Sequence, residues 1–219
     1  MCCFLGWYQV YLKDIEKQGN LEKYVNNKIL NKKILIDLIK KYSKGKRLLE
    51  AGSGTGVLAT YLASIGYDVT GIDIDSEIIN LAHKIANTYN SVKKPIFINK
   101  SIFELDYPEN FYDVSYSNGV LEHFNDEQII ATLKQQLKVS KIVIFGIPTK
   151  YFNQNEAMYG DERYMDYGCW RELIFEAGGI ILEEKSMHYM SRTKRLLNFK
   201  KYFKPFPYRI FVITLPNEN

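Results

Sequence analysis

The run Leu48-Leu49-Glu50-Ala51-Gly52-Ser53-Gly54-Thr55-Gly56, followed by a helical stretch and then Val69-Thr70-Gly71-Ile72-Asp73, constrains this chain more than any other part of it. It reads as a strand, a glycine-rich turn, a helix and a second strand that ends on a carboxylate. Glycine has no Cβ, so the backbone can turn tightly there and come close to a ligand. Asp73 lies about twenty residues beyond Gly52, the separation at which an acidic side chain holds a pair of ribose hydroxyls. The direct implication is a ligand that contains a nucleoside.

The details of the loop narrow the ligand further. A dinucleotide fingerprint is G-x-G-x-x-G/A, whose third small residue lets the helix pack closely. Counting from Gly52 and Gly54, that third position is Val57, and the pattern fails. What stands here is G-x-G-x-G, with Glu50 two residues before the first glycine. This arrangement resembles motif I of the class I S-adenosylmethionine-dependent methyltransferases, in which the loop passes under the methionine part of the cofactor instead of gripping a pyrophosphate. The segment Phe111-Tyr112-Asp113-Val114-Ser115-Tyr116-Ser117-Asn118-Gly119-Val120-Leu121-Glu122-His123-Phe124 resembles the fourth-strand region of the small-molecule members, where FDVV.S..VLEH is usual. Together the similar segments cover residues 45–182.

The resemblance implies S-adenosylmethionine as cofactor and an α/β fold. That fold is a Rossmann-like, doubly wound seven-stranded sheet of order 3-2-1-4-5-7-6, with the seventh strand antiparallel. It also assigns the site. Gly52, Gly54 and Gly56 form the loop, Glu50 serves the methionine end through loop hydrogen bonds or water, and Asp73 takes the ribose hydroxyls. Ile74 packs on the adenine ring, and Ser117 and Asn118 meet the amino-acid end through their carbonyls. One departure stands out. The family's acid–apolar pair after the third strand is here Ser101-Ile102, a hydroxyl acceptor and a backbone N–H in place of a carboxylate.

The periodicity agrees with such a fold. Apolar residues recur at helical spacing over Trp7 to Gln18 and Leu21 to Lys40, which predicts amphipathic helices. Strands are expected at Lys46 to Ala51, Asp68 to Asp73, Ile96 to Asn99, Asp113 to Ser117 and Lys141 to Ile147, with closing strands at Ile180 to Met187 and Tyr208 to Leu215. The intervening helices are Gly56 to Ser64, one capped by Ser76 and running to Tyr89, Glu127 to Val139, and Gly168 to Ala177 before Gly178-Gly179. Strands alternating with helices imply a parallel sheet covered on both faces. There is no repeat or linker, so residues 1–219 read as one domain, with residues 1–44 a helical preface.

Composition fits an ordinary globular protein, with 46% hydrophobic and 25% charged residues. The longest apolar run, Ile142 to Ile147, is too short to span a bilayer. The N-terminus lacks the basic start and sustained apolar segment of a secretory signal. Three cysteines, two of them adjacent, make no disulfide framework, and no cysteine or histidine spacing suggests zinc. The expected compartment is the cytoplasm, and no metal is called for. The net charge of +4 is mild, but Arg192, Lys194, Arg195, Lys200, Lys201, Lys204 and Arg209 crowd the C-terminal part beside Phe199, Tyr202 and Phe203. Such a cluster either binds nucleic-acid phosphates or forms the solvated face of a helix.

For the acceptor side, His123 is the candidate base, because a histidine titrating near its ordinary value of ~6.5 takes up a proton at neutral pH; alternatively it braces its loop. Glu122 beside it is either a second proton acceptor or a charge at a helix start. His83 reads as solvated, and His188 as a strand-end residue that can face the acceptor. Pro148 to Tyr167 is rich in Tyr, Asn and acids without periodicity, which marks a substrate lid. Within it, Asp161, Glu162 and Arg163 either bind a polar acceptor or pair with one another. Neither the Asn-Pro-Pro-Tyr of nucleobase-amine methylation nor the Pro-Cys of cytosine-C5 methylation is present. That favours a small-molecule O, N or C acceptor over RNA. A protein that binds S-adenosylmethionine without catalysis is the third reading, and the oligomeric state is left open.

Overall fold

The structure is a computed structural model, and it describes residues 6–89, 93–152, 160–187 and 207–216. The basic residues Arg192 to Lys204, His188 and part of the expected lid lie outside the described residues.

Three helices come first: α1 (Trp7–Gln18), α2 (Leu21–Asn31) and α3 (Lys33–Tyr42). The alternating part follows as β1 (Arg47–Ala51), α4 (Val57–Ser64), β2 (Asp68–Asp73), α5 (Ser76–Thr88), β3 (Ile96–Asn99), β4 (Tyr112–Asn118), α6 (Asp126–Val139), β5 (Ser140–Pro148), α7 (Tyr167–Glu176), β6 (Ile180–Met187) and β7 (Tyr208–Thr214). A single 3-10 turn, Leu121–His123, sits between β4 and α6. The strands form one sheet of order β3-β2-β1-β4-β5-β7-β6, in which β7 runs antiparallel to both of its neighbours. This is the order and direction that the resemblance implies.

The central strands are buried on both faces, and β5 accordingly reads as a continuous apolar run and not as an alternation. In β5, Val143, Ile144, Phe145 and Ile147 are all inaccessible to solvent. On one face Leu48, Val114 and Ile144 meet Leu62 of α4 and Leu35 and Ile39 of α3. On the other, Phe145 and Phe211 stack with ring centroids 5.4 Å apart and pack with Trp170 of α7 and Leu133 of α6. This core fixes the sheet and so fixes the ends of β1, β2 and β4, where the ligand side of such a fold lies.

The helical preface departs from the sequence expectation. In place of one helix from Leu21 to Lys40, the chain breaks at Lys32, which leaves the helical region at φ −98° and ψ 9°. The two halves serve different surfaces. α2 buries Tyr24 and Val25 against Val57 and Ile85, whereas α3 drives Leu35, Ile36, Leu38 and Ile39 into or beside the sheet's main core. The break lets each half seat its apolar residues in a different core. A second shift is small: Asp75, not Ser76, caps α5, its carboxylate accepting from the N–H groups of Glu77 and Ile78. Asn125 and Gln128 form a reciprocal capping box at α6, which begins at Asp126, one residue before the expected start. Among the described residues, no helix is long and apolar enough to cross a membrane.

Candidate cofactor and acceptor site

The glycine loop is a chain of left-handed residues. Gly52, Gly54 and Gly56 have φ of 72°, 51° and 66°, values that other residues adopt only under strain. At Gly54 space is as restrictive as conformation, because a Cβ there would lie 2.6 Å from the Tyr11 hydroxyl. α1 therefore lies directly over the loop. The sequence reading assigned Tyr11 no role. Its only signal was the spacing of Trp7 and Tyr11 by one helical turn, on a helix that buries no residue in the core.

Asp73 ends β2 and ties two loops together. Its Oδ2 accepts from the Gly54 N–H at 2.9 Å, and its Oδ1 accepts from the Asp75 N–H at 3.1 Å. Burial raises its carboxyl, while those N–H groups pull the other way. Ile74 beside it is 75% exposed, an apolar shelf next to the carboxylate, and Asn99 donates to the carbonyls of both residues. Ser101 uses its Oγ to accept from the Phe103 N–H at 3.2 Å, and Ile102 is buried. Glu50 is buried beneath the loop, where its Oε2 accepts from the Ala59 N–H in the first turn of α4 at 3.0 Å. Burial pushes its carboxyl up to about 8, against that hydrogen bond.

On the other side of the loop lies a cavity of ≈ 820 Å³. Glu50, Gly52 and Asn118 line it, as do Glu122 and His123. The structure thus brings Glu50, Gly52 and Asn118 into one space with the candidate base, whereas Ser117 is not among the lining residues. Asp73, Ile74, Ser101 and Ile102 are not among the lining residues, so the expected adenine end is the open shelf next door. Ser117 Oγ and Asn118 Oδ1 are buried and have no hydrogen-bond partner among the described residues.

His123 is held from two directions. Its Nδ1 lies 2.6 Å from Asp161 Oδ1, and its ring meets Trp7 edge-on with centroids 5.0 Å apart. Asp161 is therefore placed to orient the imidazole. Arg163 does not pair with Asp161. Its guanidinium donates to the Phe124 carbonyl at 2.6 Å and to Asp126 Oδ1 at 2.7 Å, and its backbone N–H donates to the Glu122 carbonyl at 2.8 Å. These bonds staple residues 160–166 to the turn after β4. Phe152 and Tyr164, both within the expected lid, line the cavity, and so does Lys32, to which the sequence reading gave no role. Lys32 sits at the helix break that periodicity did not show, and burial lowers its ammonium to about 7.

Burial likewise pushes the Glu122 carboxyl up to about 8, and the two raised glutamates and the lowered lysine have a consequence for stability. A carboxyl that titrates higher in the folded than in the unfolded chain makes folding take up protons, so stability is full below about 4.5 and falls as pH rises. Up to about 7 Lys32 is charged in both states and does not oppose this. The melting temperature of the wild type is expected to fall between pH 4.5 and 7, and Glu50→Gln, which keeps an acceptor for the Ala59 N–H, to flatten that slope. Parallel slopes for the two proteins would show that Glu50 titrates normally.

A Rossmann-like sheet of this order, with a G-x-G-x-G loop before an acidic strand end, defines the class I S-adenosylmethionine-dependent methyltransferases. Residues 49–145 match the family model described as a methyltransferase domain. Among curated proteins, the chain is 37% identical over 97 residues to an S-adenosyl-L-methionine-dependent Diels-Alderase of Talaromyces variabilis, covering 43% of this chain and 33% of that protein. It is 32% identical over 111 residues to the ubiquinone biosynthesis O-methyltransferase of Pasteurella multocida, covering 47% and 46%. The chain thus spans less than half the length of either relative. Among solved structures, magnesium protoporphyrin IX methyltransferase of Synechocystis PCC 6803 with bound S-adenosylhomocysteine superposes with a TM-score of 0.67 at 17% identity, over 96% of this chain and 93% of that one.

Proposed function

We propose that the protein transfers the methyl group of S-adenosylmethionine to an O, N or C atom of a small-molecule acceptor in the cytoplasm, releasing S-adenosylhomocysteine. The observation that carries this reading is the juxtaposition of the left-handed glycine loop with a roofed cavity that holds His123. The residues present fit the cofactor. Asp73 offers further lone pairs to a ribose, Ile74 offers an apolar face to a base, and Ser117 and Asn118 hold buried polar atoms beside the loop. When bound, the cofactor supplies a methyl group already activated on a sulfonium.

The chain's own task is then alignment, exclusion of water and removal of a proton. Holding two reactants in line contributes ~7–11 kcal/mol in favourable cases. Trp7 and Tyr11 of α1 roof the site, and residues 160–166 close its side. With Nδ1–H donating to Asp161, Nε2 is the ring nitrogen that carries the lone pair, and His123 acts as the base for a hydroxyl or amine acceptor. A cavity of ≈ 820 Å³ falls within the usual range for small-molecule sites and supports a small acceptor over an RNA strand.

Calorimetry tests the cofactor half of this reading. S-adenosylhomocysteine is expected to bind at least tenfold more tightly than NAD, because Val57 occupies the position at which a dinucleotide loop needs a small residue. Tighter binding of NAD would overturn it. Incubation with labelled S-adenosylmethionine and a metabolite extract, read by mass spectrometry, tests transfer. Binding without any labelled product would favour a role for the bound cofactor other than methyl donation.

A further inference from the structure

Glu122 has no task in the cofactor site, yet it is only 3% exposed and lines the cavity beside His123. It stands in the 3-10 turn after β4, where Gly119, at φ 72°, turns the chain back. A Cβ on Gly119 would lie 3.6 Å from Glu122 Oε1, so the carboxyl folds over that turn. Its other oxygen, Oε2, is buried and has no hydrogen-bond partner among the described residues. A buried carboxyl oxygen without a partner forfeits its hydration and gains nothing in return. Such a group is kept where a ligand supplies the donor.

The surroundings identify that donor. Asp161 and Glu162 add negative charge near Glu122, and both raise its carboxyl further after burial has done so. Their own positions are used: Asp161 bonds His123, and Glu162 Oε2 accepts from the Gly160 N–H at 2.8 Å. Lys32 is the cation that faces Glu122, but Glu50 draws on it as well. Of the other lining cations, Lys28 pairs with Asp14 at 3.0 Å, and Lys17 is exposed on α1. The walls are aromatic. Phe152 stacks on Tyr164 with centroids 5.5 Å apart and meets Tyr208 edge-on at 5.3 Å, and Trp7 stands beside His123. Aromatic faces around a buried carboxyl are the chemistry that receives an organic cation.

Resting on the small-molecule reading above, we propose that Glu122 recognises the acceptor and that the acceptor is an organic amine bound as its ammonium. The ammonium donates to Oε2 of the ionised carboxyl, whose proton passes to solvent as the cation enters; its body lies against Phe152 and Tyr164, and His123 lines the same cavity.

The test needs no knowledge of the natural acceptor. The full-length protein is titrated with 2-phenylethylamine and with 2-phenylethanol, which differ in charge but hardly in shape, both with and without saturating S-adenosylhomocysteine. The amine is expected to bind at least tenfold more tightly than the alcohol. Glu122→Gln is expected to remove most of that preference while leaving alcohol affinity within about twofold. Equal or tighter binding of the alcohol to the wild type overturns the proposal without recourse to a variant, as does failure of the amine to bind at millimolar concentration. A preference that survives in Glu122→Gln overturns it too. If the variant instead changes the ratio of S-adenosylmethionine to S-adenosylhomocysteine affinity, Glu122 serves the sulfonium and the acceptor assignment falls. Failure of the wild type to bind S-adenosylhomocysteine counts against the cofactor reading alone, because the amine preference is also read on the free protein.

Discussion

Asp73→Ala is expected to weaken S-adenosylhomocysteine binding roughly a hundredfold, about 2.7 kcal/mol, while Ser101→Ala costs less than tenfold. Removing the Asp73 carboxylate deletes a charge-assisted hydrogen bond to a ribose hydroxyl, a contact of about 1.5–3 kcal/mol. It also releases the Gly54 and Asp75 N–H groups, which the same carboxylate holds at 2.9 and 3.1 Å. The glycine loop then loses the strut that sets its distance from the β2 end, so the ligand must order it on binding. Ser101 makes no such bridge, because its hydroxyl closes a local turn onto Phe103. Calorimetry on the two variants, with melting temperatures as a check on folding, decides the matter. A larger loss in Ser101→Ala would mean that the adenine and ribose ends have been exchanged.

That the Asp73 side was legible in the sequence, and the roof over it was not, has a physical reason. The loop, the strand end and the sheet order rest on local requirements: left-handed backbone at Gly52, Gly54 and Gly56, a carboxylate at a strand end, apolar runs for strands buried on both faces. Each leaves a mark within a few residues. Tyr11 over Gly54 and Trp7 against His123 join residues roughly 40 to 120 positions apart and depend on where helices land after packing, as does the burial of Glu122 Oε2. α1 reads as an ordinary amphipathic helix, yet only Ile15 rests on a core cluster, the small one around Tyr24, while Trp7 and Tyr11 line the cavity. The break at Lys32 is silent for a related reason. No proline or glycine marks it, and only the competing pull of two cores, one around Tyr24 and one around Leu35 and Ile39, makes it necessary. Asp161 and Arg163 illustrate the limit from the other side. Opposite charges within one short stretch suggested a pair, but the fold sends Asp161 to His123 and Arg163 to Phe124 and Asp126.

The largest effect is expected at His123. Once an acceptor is in hand, His123→Ala should lower kcat by ~10²–10⁴-fold, the range a positioned base contributes, with S-adenosylhomocysteine affinity changed by less than tenfold. The separation follows from the geometry. Cofactor affinity rests on the loop, Asp73 and the shelf at Ile74, whereas His123 stands across the cavity, held by Asp161 and Trp7. Asp161→Ala should have a smaller effect in the same direction, because Asp161 is 47% exposed and water can take over part of its role on Nδ1. A base role carries a signature that a brace does not. Raising the pH should partly restore kcat in His123→Ala, since hydroxide and bulk buffer then remove the acceptor's proton. A variant that only loosened the turn after β4 would lose activity equally at every pH and would weaken cofactor binding in step, because Val120 of that turn packs over Gly52. Unchanged kcat in His123→Ala would reduce the residue to a support for that turn and pass the proton to Glu122, whose buried carboxyl lines the same cavity.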